Sequence, residues 1–110
     1  METRTQARLV DHEIIELAAM LRDGRTTSVA LTEAYLERID RYNGPFDTYD
    51  ANGGYNAFVR VDRDGALAQA REVDTLLAAG IALPPLAGIP IGIKDSIAIE
   101  GRLSTNGFGY

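Results

Sequence analysis

The chain has 110 residues, 45% hydrophobic and 25% charged, with a formal net charge of −5; that size supports one domain with one modest core, and the acidic balance excludes a broad phosphate-binding surface for nucleic acid or acidic membrane. The composition is that of a globular protein, not a disordered one, and the absence of cysteine removes disulfides and thiolate metal sites. No apolar run reaches membrane-span length and the start, METRTQARLVDHEII, lacks a signal-peptide core, so a soluble cytoplasmic protein is expected.

In HEIIELAAMLRDG, Ile14, Leu17, Ala18 and Leu21 recur at i, i+3, i+4 and i+7, the spacing of one helical face. Asp11 is the expected cap and Gly24 the left-handed stop. TTSVALTEAYLERIDRYNG repeats the pattern, with Thr27 or Ser28 as cap, Leu31, Tyr35, Leu36 and Ile39 as the apolar stripe, and Asn43-Gly44 as the end. The two predict a helical hairpin over 11–43. PFDTYDANGGY, 45–55, is rich in turn formers and reads as a loop, its rings Phe46, Tyr49 and Tyr55 pinning it to the body.

NAFVRV, 56–61, alternates as a short strand with one covered face. Asp62 or Asp64 then opens a helix over 64–79, with Leu67, Ala70, Val73 and Leu77 inward and Gly80 at its end. Pro84-Pro85 predicts an extended connector. IPIGI and SIAI are short apolar segments with strand-forming branched residues, and EGRLSTNGFGY has loop composition. Three helices with two or three strands make the expected fold class α/β.

LAGIPIGIKDSIAIEG, 86–101, holds Lys94, the only lysine of the chain; every other cationic side chain is arginine. An extended 89–94 strand sets Ile89, Ile91 and Ile93 on a core face, with Pro90, Gly92 and Lys94 opposite. Another backbone could then pass close to Gly92, and the lysine stem could lie along it. An amine serves as a general base near neutrality only if desolvation brings its pKa down from about 10.4, at a cost of about 4 kcal/mol, and arginine cannot do this. A lone strand lysine is nevertheless most often a solvated surface residue, so on the residues alone the surface reading is favoured.

PLAGIPIGIKDSIAIEGRLSTNG resembles the lysine-bearing segment of the amidase signature family, and LRDGRTTSVALTEAYLERI, YNAFVRV and ALAQAREVDTLLAAG agree with that family in order. The likeness runs from about Glu13 onward. It implies the N-terminal fragment of a single α/β/α amidase domain over 1–110. The implied enzyme cleaves carboxylic amides through a Ser–cisSer–Lys triad and an acyl-enzyme, with Lys94 as base. In the family both serines and the oxyanion donors lie in a downstream Gly/Ser-rich segment, which these residues do not contain, so the fragment alone is expected to be inactive.

Ser96 and Ser104 read as turn hydroxyls. Phe108 departs from the family's usual serine, and the 45–55 loop is longer than usual. The implied partners are the remainder of the amidase polypeptide, in cis or as a separate fragment, and a small-molecule amide, with a homodimer as a further option and no nucleic acid, membrane or cofactor. A stand-alone α/β interaction module and a part of an amidotransferase of the A-subunit type are the alternatives. His12, the only histidine, reads as a surface or cap-adjacent residue. The glycines around Lys94 lack nucleotide-loop spacing.

Overall fold

A computed structural model describes residues 8–43 and 57–102. A 3₁₀ turn, Leu9–Asp11, precedes three helices: α1 (Ile14–Arg22), α2 (Ser28–Tyr42) and α3 (Arg63–Ala78). The 45–55 loop with its three rings lies outside the described residues, as do Ser104 and Phe108.

The helix ends follow local chemistry. Thr27 caps α2 by accepting from the Ala30 N–H at 3.0 Å, and Asp62 caps α3 by accepting from the Gly65 N–H at 3.2 Å. At the exit of α1 the Arg25 N–H donates to the Met20 carbonyl (2.9 Å) and the Gly24 N–H to the Leu21 carbonyl (3.3 Å). The exit of α3 repeats this pairing, Ile81 to Leu76 at 3.1 Å and Gly80 to Leu77 at 3.0 Å. Gly24 and Gly80 make both turns possible with φ of +72° and +76°.

The expected cap of α1 is corrected. Glu13 is its N-cap, and its N–H donates to the Glu16 carboxylate at 3.2 Å. Asp11 instead receives the backbone N–H and the guanidinium of Arg8, at 3.2 and 3.1 Å, which makes it part of the preceding turn. The Arg8 hydrogen bond lowers the Asp11 pKa from its ordinary value, and that of Glu16 is lowered by His12 first and the Glu13 N–H second. A carboxyl whose pKa falls on folding favours the folded state above its unfolded value. That contribution is lost as pH drops through the lowered value.

The core is small. Leu17 and Leu21 of α1 meet Leu31 of α2, and Leu9, Met20, Tyr35, Leu77 and Ile89 pack around them. Helix α2 is central, with its broadest packing against α3 and further contact to the 3₁₀ turn. Of the apolar stripes, Leu17, Ala18, Leu21, Leu31, Leu36 and Ala70 are buried, whereas Ile14 is exposed.

No strand forms among the described residues, so the strands expected at 56–61 and 89–94 are not found there. A strand exists only through a ladder, and one residue in each segment has backbone groups engaged elsewhere. The Phe58 N–H donates to the Asn43 side-chain carbonyl at 2.8 Å, and the Asn43 amide donates back to the Phe58 carbonyl at 3.1 Å. The Ile89 N–H is held by the Leu86 carbonyl in a turn. No helix among the described residues is long and apolar enough to cross a membrane.

Candidate functional site

Lys94 is reached from α3 through a folded connector. The Pro84 carbonyl accepts from the Ala87 N–H (3.0 Å) and the Leu86 carbonyl from the Ile89 N–H (3.1 Å). The expected extended connector is thus a pair of turns, and Pro85 stands where its fixed φ favours one. Gly88 follows with φ +88°.

At Gly88 the connector is fastened to the helices. The Ser28 hydroxyl, on a residue only 1% exposed, donates to the Gly88 carbonyl at 2.8 Å. The same Ser28 offers its backbone N–H to the Asp74 carboxylate at 2.6 Å, and the Val29 N–H joins at 3.0 Å. Asp74 of α3 therefore satisfies two of the free donors at the start of α2 and places its charge at the positive end of that helix.

Beyond Gly88 the chain runs outward. Ile89 packs against the core, but Ile91 and Ile93 are 73% and 47% exposed, which corrects the expected core face: only its first member is inside. Among the described residues no second backbone passes close to Gly92. The Phe58 ring does, with Cε1 lying 3.4 Å from where a Gly92 Cβ would be, and Asn43 holds Phe58 by both its backbone groups.

Lys94 is exposed and lines an open groove of about 650 Å³ together with Tyr35, Leu36 and Ile39 of α2, Phe58, Ile97 and Ile99. Its carbonyl accepts from the Ile97 N–H at 3.0 Å, so the chain turns immediately after it. Ser96 sits exposed within that turn. At the far end Arg102 pairs with Asp62, the cap of α3. The groove thus combines an aliphatic and aromatic wall with the Lys94 ammonium group and, around it, the charged side chains of Arg60, Asp62, Asp95 and Arg102.

His12 faces Glu16, with Nδ1 3.1 Å from the carboxylate, and is not part of the groove wall. No group of three or more His, Asp or Glu side chains among the described residues could hold a metal. Ser28 is readable in the sequence as a cap candidate for α2, but its bond to Gly88 is not. Nor is its partner Asp74, whose only sequence signal is a carboxylate in a helix face otherwise lined by Ala70, Val73 and Leu77.

A sequence model described as Amidase matches residues 30–109, which include most of α2, the groove and Lys94. The chain belongs to the amidase family. This amidase segment is similar to the A subunit of glutamyl-tRNA(Gln) amidotransferase from Streptomyces avermitilis, 40% identical over 105 residues, which are 96% of this chain and 19% of the relative. The proteins of the same name from Streptomyces coelicolor (42% over 92 residues; 84% and 17%) and Renibacterium salmoninarum (44% over 91 residues; 83% and 16%) are similar as well. The chain spans under a fifth of the length of these curated relatives. No solved structure matches it at a significant level.

Proposed function

We propose that this segment is the N-terminal part of an amide-cleaving enzyme of the amidotransferase A-subunit type, with Lys94 as the general base of a Ser–cisSer–Lys triad. The observation that carries the reading is the position of the chain's sole lysine: it lies in the family-matched IKD run, at the end of a fastened segment, on a groove whose wall is largely aliphatic and aromatic. Both serines belong to polypeptide outside these residues. Polypeptide laid over Ile91, Ile93, Ile97 and Ile99 removes water around the amine, which disfavours its charged form.

In the complete site the neutral amine accepts the proton of the bridging serine, which accepts that of the nucleophilic serine. The nucleophile's oxygen attacks the amide carbonyl, and the oxyanion collapses to an acyl-enzyme as the nitrogen leaves with a returned proton. Water completes hydrolysis, whereas transfer delivers the nitrogen to an acceptor. The relatives' name favours transfer, with glutamyl-tRNA(Gln) as acceptor. The acidic balance of the segment leaves tRNA contact to other parts of the protein.

The test is Lys94→Ala in the full-length enzyme carrying this segment. kcat is expected to fall by about 10³-fold or more with the fold retained. Lys94→Arg should be nearly as damaging, because arginine keeps its proton. Near-normal amide cleavage by Lys94→Ala would refute the assignment, and activity in Lys94→Arg alone would reduce the role to one of charge.

A further inference from the structure

We infer that Ser28 is a positioning residue for Lys94, acting through the Gly88 carbonyl, with Asp74 as its brace. The inference rests on the proposed role of Lys94 for its catalytic consequence, but the anchoring itself is independent of that role. Lys94 lies at the end of a run whose outer isoleucines are exposed, so apolar packing within this segment does not fix its course. What holds the run is at its root. The buried Ser28 hydroxyl donates to Gly88 at 2.8 Å, and Ile89 enters the core immediately afterwards.

Three features make this bond a locator. Ser28 opens α2, so its own position is that of the most central helix. Its backbone N–H and that of Val29 are held by Asp74 at 2.6 and 3.0 Å, which prevents the first turn from fraying. The Gly88 carbonyl is also aimed by a φ of +88° in a space where an added Cβ would meet Val73, Leu21 and Ser28 at 3.1 to 3.3 Å. Side chains on α1, α2 and α3 therefore converge on one peptide. From there Pro90, with its fixed φ, and Gly92 under Phe58 are further constraints on the way to Lys94. A base displaced by about 1 Å can lose about 100-fold in rate, so the root of its segment controls the chemistry at its tip.

The test compares three variants of the full-length enzyme. Ser28→Ala removes the donor; Ser28→Thr keeps it; Leu17→Val trims the same core without touching the lock. At temperatures where all remain folded, Ser28→Ala should lower kcat by about 10- to 100-fold with KM nearly unchanged. Ser28→Thr should recover most of that loss, and Leu17→Val should keep kcat despite a lower Tm. Hydrogen exchange of the 88–94 peptide is measured in parallel, and it should quicken in Ser28→Ala but not in Leu17→Val. Unchanged kcat and unchanged exchange in Ser28→Ala would overturn the inference, as would equal effects of Ser28→Ala and Leu17→Val. If Lys94→Ala proves active, the base assignment falls, and the exchange result alone then decides whether Ser28 anchors the segment.

Discussion

At Gly88 side chains from three helices crowd one Cα, the adjoining carbonyl accepts from Ser28, and the conformation disfavours any side chain. Its φ of +88° costs a non-glycine residue about 1–2 kcal/mol. An added methyl would also lie 3.1 Å from Val73 Cγ1 and 3.2 Å from Leu21 Cδ1, inside comfortable packing distance. Gly88→Ala is expected to destabilise the protein by about 2–4 kcal/mol, read from the midpoint of urea unfolding. A change within about 0.5 kcal/mol would mean that the connector relaxes freely. Glycine at 88 is visible in the sequence only as punctuation. Its constraint arises from Val73, Leu21 and Ser28, which no local pattern links to it. Lys94 is legible for the opposite reason: a single lysine among ten arginines marks itself without any partner.

The helices show where sequence patterns suffice. Cap residues and apolar period are local properties, so Thr27, Asp62, Gly24 and Gly80 can be read directly and each occupies the expected kind of position. The strands fail the same standard. Alternation describes a segment able to join a ladder, but the ladder itself depends on a neighbour, and Asn43 has taken the backbone groups of Phe58. Asp11 is not the cap its position suggests because Arg8, a stronger local partner, competes for the same carboxylate. The junction between α2 and α3 is equally non-local, spanning 46 residues from Ser28 to Asp74. Asp74→Ala leaves two N–H groups at the start of α2 without their acceptor and should cost about 1–2 kcal/mol. Asp74→Asn keeps an acceptor oxygen but loses the charge at the helix end, so it should cost less than the alanine variant. Denaturant midpoints of the two variants order these outcomes; equal loss in both would assign the effect to charge alone.

At the scale of the whole molecule the exposed apolar side chains matter most. Six apolar residues are buried among the described residues, while eleven large ones are exposed. Four of those eleven, Ile91, Ile93, Ile97 and Ile99, border Lys94 on one short stretch. Fully covering an aliphatic side chain of this size stabilises by about 1.5–3 kcal/mol, so on the proposed reading the stretch is a contact surface. The chain corresponds to under a fifth of its curated relatives, and on the proposed reading the remaining polypeptide supplies the cover. That reading makes one substitution behave differently in two contexts. In the 110-residue chain Ile97→Asp removes an exposed apolar group and should change stability by no more than about 0.5 kcal/mol, while weakening dye binding and self-association. In the full-length enzyme, on that reading, the same change buries a carboxylate in the covered groove beside Lys94 and should cost about 3 kcal/mol or more, desolvation outweighing pairing with the amine, with loss of amide cleavage. Ile14→Asp, at an exposed position on α1 away from the groove, separates a general sensitivity to added charge from this one. If Ile97→Asp is as mild in the full-length enzyme as in the short chain, the stretch around Lys94 stays open to water there too, and desolvation is no longer available to make its amine a base.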